Sequence, residues 1–261
     1  MALVKKRSTL KIWGDVIFAI FLREIKSNFN DKFGLSWALV SPMIMVVTMV
    51  LIRRAFDDGE THGLLRLSWV IYGVLLVQFF LGVLSITSSA IQKNKPLYAF
   101  RQVQPISSIL AIAIFQLLVM FFLVITIAII CFFGHLEIQV ESPLGVILIV
   151  FRVWLIAISV GTLFSLASCY VPEFKKVQVI ITRPFFFISG IFFSLQDIPQ
   201  EYWSYLDWNP LLHAVELARY SASSAYGDAG VSYFYLDSFT LLSVFFALAC
   251  YHISWKQVIS R

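Results

Sequence analysis

Charged residues are scarce in this sequence. Asp, Glu, Lys and Arg make up 13% of the 261 residues, against about 25% in an average soluble domain. Hydrophobic residues make up 59%, and the mean hydropathy is +0.84. This composition excludes a water-soluble globule and a disordered chain. We expect a polytopic membrane protein, because a helical span needs about 20 apolar residues and five or six spans would use most of this length.

Residues that bind metals or nucleotides are also few. The 3 Cys lie within apolar runs, and the 4 His form no H-E-x-x-H motif, so neither a disulfide framework nor a zinc site is predicted. A phosphate loop of the form G-x-x-x-x-G-K-[ST] is missing, so the chain cannot hydrolyse ATP by that route. We expect no catalytic residue, no metal and no cofactor in this chain, and the +5 net charge needs no nucleic acid to explain it.

Six apolar runs predict six transmembrane helices. The fifth run contains Arg183 and Pro184 and is expected to be broken or kinked, because proline removes a backbone hydrogen bond. The runs are residues 35–52, 67–91, 106–133, 144–171, 177–195 and 234–254.

The distribution of Lys and Arg predicts the orientation of these segments. Short loops rich in Lys and Arg stay on the cytoplasmic side of a membrane. Basic residues prevail before residue 35, between the second and third runs, and after the last run, whereas acidic residues prevail after the third and fifth runs. We therefore expect a cytoplasmic N-terminus at 1–34, a transmembrane permease domain at 35–254 and a cytoplasmic tail at 255–261. No cleaved signal peptide is expected, because the apolar run 16–22 is too short.

Residues 10–33 predict an amphipathic helix that lies along the membrane interface. Their apolar and polar residues sort approximately onto two sides at 100° per residue. Phe21, Ile25 and Phe29 are expected to face the bilayer, and Arg23 and Lys26 to face headgroups or a partner. A simple membrane anchor is the alternative.

The cytoplasmic connection 92–105 combines basic and aromatic residues. Leu97, Tyr98 and Phe100 stand among Lys95 and Arg101. A loop without a partner has little reason to expose such apolar side chains to water, so docking of a partner is expected. An aromatic belt at the lipid interface is the alternative.

The outer stretch 196–227 is too polar to cross a bilayer and too aromatic for a free loop. It predicts a periplasmic re-entrant or interface-lying helix pair after the fifth segment. Glu216 and Arg219, three residues apart, predict an ordinary ion pair on a helix surface. The stretch contains Pro199, Tyr202, Trp203, Tyr205, Trp208, Asn209 and Pro210.

Arg152 is a basic residue inside the fourth apolar run. It lies about 12 Å along a helix that starts after Pro143, where a charge costs about 2.5–3.5 kcal/mol on insertion scales. It is therefore expected to face protein or a wet path. Attraction of an acidic substrate, snorkelling, and pairing with an outer carboxylate all remain open.

Three stretches resemble the type-2 ABC transporter permeases, in the branch that exports capsular polysaccharide and O-antigen chains. Residues 22–26 (LREIK) and 32–42 (KFGLSWALVSP) are similar to the family's interface helix and to the entry of its first span, with Phe33 in place of the usual Leu. The basic loop before Pro105 corresponds to its coupling helix. Residues 189–219 look like its S-G…P…N-P…R pattern.

This resemblance implies a homodimer that encloses one channel, with two separate ATP-binding subunits on the cytoplasmic side that hold ATP and Mg. It implies ATP-driven passage of a lipid-linked polysaccharide across a bacterial inner membrane, together with periplasmic or outer-membrane export partners. The predicted ATPase-coupling residues are Arg23, Glu24, Lys26, Lys95, Leu97, Tyr98 and Arg101. The predicted residues of the substrate path or gate are Arg152, Pro199, Tyr202, Trp203, Trp208, Asn209 and Pro210.

The sequence leaves other functions open. A type-2 permease could instead export O-antigen, a teichoic-type polymer, a lipid or a drug. An ion-coupled carrier or an intramembrane enzyme is a third class, although the spans lack the Asp, Glu and His chains that relay protons. A neighbouring ATPase gene beside glycosyltransferase genes would favour the sugar polymer.

Overall fold

The computed structural model describes residues 8–30, 34–54 and 60–260. The predicted end of the interface helix at 31–33, the Phe29 side chain and the last residue of the tail lie outside this description. The described residues form the α-helices α1 (Thr9–Asn30), α2 (Gly34–Arg53), α3 (Arg66–Lys93), α4 (Pro105–Phe133), α5 (Pro143–Tyr170), α6 (Phe174–Ile188), α7 (Pro210–Ala222) and α8 (Tyr233–Ser260).

In the described part of the chain, a small hairpin and four 3₁₀ turns connect the helices. Strands β1 (Glu60–Thr61) and β2 (Leu64–Leu65) pair antiparallel, with Glu60 opposite Leu65. Both residues of the hairpin turn have positive φ, 52° at His62 and 76° at Gly63, as a two-residue turn of type I′ requires. The 3₁₀ turns are Lys95–Ala99, Leu195–Asp197, Gln200–Tyr205 and Ser224–Tyr226.

Among the residues that the structure describes, four helices are long and apolar enough to cross a membrane, namely α3, α4, α5 and α8. The apolar part of α2 is shorter, and α6 has 15 residues. A helix of that length reaches about 22 Å, less than the roughly 30 Å of a hydrocarbon core. The all-helical polytopic class is confirmed, whereas the count of six spans stays a prediction.

Helix α6 differs from the fifth predicted segment. It continues through Pro184 without a break and ends at Ile188, well before residue 195. It ends there because the chain turns at Gly190, whose φ is +77°. A side chain at that position would also come within 2.9 Å of Leu212, so both backbone and space favour glycine.

The expected outer helix pair contains one α-helix in the structure. That helix is α7, and the segment before it forms only the 3₁₀ turns around residues 195–205. Nearly every side chain of α7 is buried, because the helix packs against α3, α5 and α8. Whether this segment is re-entrant stays a prediction.

Helix α3 lies at the centre of the bundle. Of the most apolar part of α3, 72% is buried, compared with 17% for α8, so α8 presents most of its surface outward. Helix α3 packs against α2, α4, α5 and α7. Gly161 of α5 allows a close approach to α3, because a Cβ there would lie 2.8 Å from Thr87.

The two ends of the bundle differ in charge. The basic end, where α3 leads into α4 and α5 into α6, carries Lys93, Lys95, Lys175 and Lys176, and α1 packs there against α4. The acidic end contains the hairpin, residues 134–142 and residues 189–232.

Candidate functional site

Helix α1 is fixed to the basic end by polar contacts. Trp13 Nε1 donates to Ser107 Oγ at 2.9 Å, at the start of α4. Lys93 forms an ion pair with Glu24, and Arg23 donates to Asn94 Oδ1. We call these residues the α1 junction. Because the contacts join α1 to the α3–α4 connection, the two elements form one unit.

Glu24 belongs to the interior of the α1 junction. Its exposed fraction is 3%, and that of the neighbouring Ile20 is 4%. A buried carboxylate is tolerated when a cation lies against it, which Lys93 provides. Glu24, predicted as a coupling residue, therefore holds α1 in place here, whereas Lys26 is exposed.

The α3–α4 connection presents basic residues and one aromatic ring. Lys95 and Arg101 are exposed, Phe100 is 65% exposed and Leu97 is half-buried. The prediction that Tyr98 is exposed is wrong. Its ring is 8% exposed, and its hydroxyl donates to Ser108 Oγ at 3.1 Å.

Tyr98 turns inward because the 3₁₀ turn directs it beneath the start of α4. Burial raises the pKa of the Tyr98 hydroxyl to about 12, so it is neutral at physiological pH. The apolar surface of this connection is therefore made by Phe100 with part of Leu97. We call Lys95, Leu97, Phe100 and Arg101 the docking surface.

Arg152 is paired with a carboxylate of the acidic end. Its guanidinium donates twice to Asp237 of α8, with Nη2 3.2 Å from Oδ2. The Arg152 side chain is 20% exposed and that of Asp237 is 46% exposed. Of the alternatives predicted for Arg152, pairing with an outer carboxylate is the one present in the structure.

Aromatic rings lie exposed between α6 and α7. Tyr202 is 54%, Tyr205 73% and Trp208 50% exposed. The half-buried Trp203 donates from Nε1 to Ile198 O at 2.8 Å, which closes the turn that follows Pro199. The surface of this segment therefore combines exposed rings with polar side chains such as Glu201 and Asp207.

Asn209 and Pro210, predicted as path residues, are buried at the start of α7. The Asn209 side chain accepts from Leu211 N at 3.0 Å and so caps the helix. Its amide nitrogen donates to Ile188 O and Ser189 Oγ, both at 3.1 Å. Asn209 thus joins the end of α6 to the start of α7.

Glu216 and Arg219 form a buried ion pair, which corrects the predicted surface pair. Their side chains are 2% and 0% exposed, with 2.9 Å between Arg219 Nη1 and Glu216 Oε1. Arg219 also donates to Gly190 O at 2.7 Å and lies 3.4 Å from the centre of the Trp69 ring. The spacing indicated a surface pair and could not reveal the burial of α7, because that burial depends on three other helices.

Further groups complete the network around this pair. Ser194 and Tyr226 each donate to Glu216 Oε2, at 3.0 and 2.9 Å. Burial raises the pKa of Tyr226 to about 12. Arg53 of α2 lies on Trp69 as well, 3.4 Å from the ring centre. Trp69 therefore connects α2, α3 and α7, and no sequence motif pointed to it.

Within 8–30, 34–54 and 60–260, no three His, Cys, Asp or Glu side chains lie close enough together to hold a metal ion. The candidate functional features in the described residues are the docking surface, the aromatic rings at the acidic end and the polar groups between helices.

Helices that can cross a membrane, packed around α3 with α1 across one end, define a polytopic α-helical membrane protein. The chain belongs to the ABC-2 type transporter family, whose model matches residues 15–222. The resemblance identified from the motifs at 22–26, 32–42 and 189–219 is thus confirmed.

Individual relatives match most of the chain. The polysialic acid transport protein KpsM of Escherichia coli is 30% identical over 94% of this chain and 95% of that protein. The capsule polysaccharide export inner-membrane protein CtrC of Neisseria meningitidis serogroup A is 24% identical, over 86% of this chain and 84% of that protein. The corresponding protein BexB of Haemophilus influenzae is 23% identical, over 87% and 85%.

Proposed function

We propose that this chain is the membrane-spanning permease subunit of an ATP-driven exporter that moves a capsular polysaccharide across the bacterial inner membrane. The observation that carries the proposal is the similarity to KpsM, which covers 94% of this chain. Because the alignment includes both ends of the bundle, it supports a shared activity as well as a shared fold.

The energy source in this proposal is a separate pair of ATP-binding subunits that hold ATP and Mg. They contact the docking surface of each protomer in a homodimer, with both termini in the cytoplasm. The exposed Phe100 between Lys95 and Arg101 supports this contact. Since the α1 junction joins α1 to the same connection, movement of the ATPase would reach both α1 and α3.

The polymer leaves the channel near the exposed rings of the acidic end. Tyr202, Tyr205 and Trp208 suit this role, because the C–H faces of sugars pack on aromatic rings and still slide along them. Periplasmic and outer-membrane partners would receive the chain there. An aromatic belt that only anchors the segment in the membrane is the competing account.

The proposal is tested in an encapsulated bacterium in which the native chain is replaced by a depletable copy. Depletion is expected to remove polysaccharide from the cell surface and to leave it inside the cell, while its synthesis continues. Surface polysaccharide is measured by periodate labelling of intact cells and of lysates. An unchanged surface signal after depletion would contradict the proposal.

The nature of the retained compound decides between the related functions. Retention of O-antigen, a teichoic-type polymer, a lipid or a drug, with normal capsule on the surface, would assign the chain to that cargo instead. ATP dependence is measured in inverted membrane vesicles that contain the chain and its ATPase partner.

A further inference from the structure

A groove opens between α2, α3 and α4 in the basic half of the bundle. It has a volume of about 330 Å³ and extends from Asn28 of α1 to the middle of α3 and α4. Trp37 and Pro42 of α2 form one side of it. The groove is separate from the docking surface and from the rings at the acidic end.

Two glutamine side chains line the groove. Gln78 is near the middle of α3, and Gln116 lies about 16 Å along α4 from its start. Neither carboxamide makes a hydrogen bond to any residue in the described part of the chain. Both side chains are half-buried and open to the groove, so their carboxamides can hydrogen-bond to whatever occupies it. Polar groups at this depth are therefore expected to serve a ligand or a path.

The other lining groups are aromatic or neutral. Trp37 is 65% exposed, Phe79 and Phe115 contribute rings, and Ser41 contributes a hydroxyl. Among the described lining residues none is charged. Carboxamides and a hydroxyl beside aromatic rings match the hydroxyl groups and C–H faces of a sugar.

We propose that this groove binds a saccharide unit of the exported polymer as the polymer enters the protein. The inference rests on the proposed function and adds a site to it. An acyl chain or an apolar helix of a second copy would fill the groove but leave both carboxamides without partners. A saccharide satisfies them and also uses the exposed face of Trp37.

The first test is photocrosslinking in cells that make the polymer and contain the ATPase partner. The photoreactive residue p-benzoylphenylalanine replaces Trp37, and a control protein carries it in place of Leu241 of α8, which is 71% exposed. Adducts are tagged with a hydrazide after periodate oxidation of vicinal diols. A diol-positive adduct is expected at position 37 and not at 241, with at least a five-fold loss when Gln78→Leu and Gln116→Leu are added.

Other outcomes of the crosslinking would overturn the inference. No adduct at position 37, or the same adduct in cells that make no polymer, would show that the groove does not bind the polymer. A phosphate-labelled lipid adduct alone would identify lipid as the occupant. A permease–permease adduct alone would identify a second copy of this chain as the occupant.

The second test fills the groove. Gly82 lines the groove, and a Cβ there would meet no atom within 4 Å, so the side chain of Gly82→Leu begins in open space within the groove. Export is expected to fall at least five-fold at unchanged protein abundance and ATPase activity, whereas Leu241→Trp on the outer surface exports normally.

Normal export by Gly82→Leu would contradict the groove assignment. The two proposals fail differently: polymer that reaches the surface without the chain refutes the proposed function, whereas normal export by the groove variants refutes only the inference.

Discussion

Arg219 has every face of its guanidinium occupied by protein. It bonds Glu216, Gly190 O and, through Nε at 3.3 Å, Trp69 O, while its plane lies on the Trp69 ring. Gly73 provides the space, because a Cβ there would come within 2.6 Å of Nη2. The buried charge is therefore tolerated only because the surrounding groups are already in place.

Removal of one member of this pair is expected to be more damaging than removal of both. Arg219→Met leaves Glu216 charged and buried, at a cost of about 3–5 kcal/mol. Adding Glu216→Gln removes that charge, so the double variant is expected to be more stable than Arg219→Met alone. The free energy of unfolding is measured in mixed micelles, with the exposed Glu201→Gln as control. A double variant as unstable as the single one, or more so, would show that the charges are not coupled.

His213 is expected to make the acidic end less stable at low pH. Its Nε2 donates to Asp207 O at 2.7 Å and its Nδ1 accepts from Ser232 N at 3.0 Å, which requires the neutral ring. Burial lowers its pKa below the ordinary value of 6.5. As pH falls below 6.5, the unfolded chain gains a proton that the folded chain does not, so stability falls. Thermal unfolding from pH 8 to pH 5 measures this; a slope unchanged in His213→Gln would rule His213 out as its source.

The role of Arg152 in export or stability is expected to depend on its positive charge. Arg152→Lys keeps an ion pair with Asp237 and is expected to retain part of the export activity, whereas Arg152→Leu removes the pair. If Arg152→Leu disappears from the membrane, the residue serves stability; if it is present but exports nothing, the cation serves the path. Export and membrane abundance are measured together, and normal values of both would contradict both roles.

At the scale of elements, α1 and the α3–α4 connection act as one piece. The α1 junction fixes α1 by Trp13 and Glu24, and Tyr98 holds the 3₁₀ turn beneath α4. Substitution of Tyr98 would therefore disturb the packing of α4. The partner contact is tested more cleanly at Phe100, which is exposed.

Phe100→Asp is expected to separate the chain from its ATPase partner without loss of stability. The ring is 65% exposed, and a carboxylate there places negative charge in the basic stretch that contains Lys95 and Arg101. Co-purification of the ATPase and ATP-dependent export are both expected to fall at least ten-fold. The control is Phe234→Asp at the acidic end, which is 81% exposed. Undiminished co-purification of Phe100→Asp would show that the ATPase docks elsewhere.

At the scale of the whole molecule, the single chain leaves most of α8 and much of α6 uncovered. Both carry exposed apolar residues, such as Ile180 at 68% and Phe245 at 73%. Lipid would cover the exposed face of α8, and in the proposed homodimer the second protomer would cover that of α6. A gate at the symmetry axis would bring the same residue of the two protomers together.

A cysteine at Tyr202 is expected to crosslink to the same cysteine in the second protomer if this segment forms the gate. Tyr202 is 54% exposed, so Tyr202→Cys is accessible. The free cysteines Cys131, Cys169 and Cys250 are first replaced by Ala. Oxidation is expected to stop export and reduction to restore it. Efficient crosslinking with undiminished export would show that the segment is not the gate.

The sequence by itself determined the class of the protein and most of its helices. Long apolar runs require spanning helices whatever their neighbours, because an unbonded backbone cannot stay in lipid. The predicted limits of the second to fourth runs therefore agree with α3, α4 and α5 to within two residues. The motifs at 22–26, 32–42 and 189–219 identified the family because they are local in sequence.

Only the tertiary structure decided which polar residues are buried. In sequence, Glu24 and Arg219 look like surface residues because charged side chains are mostly exposed, and Tyr98 does because it stands in a loop with Lys95 and Arg101. They become interior because α1 lies on α4, the 3₁₀ turn directs Tyr98 inward and α7 enters between α3, α5 and α8. The α2–α3–α4 groove is likewise made by residues far apart in the chain. Burial and hydrogen bonding depend on such long-range packing, which no local pattern specifies.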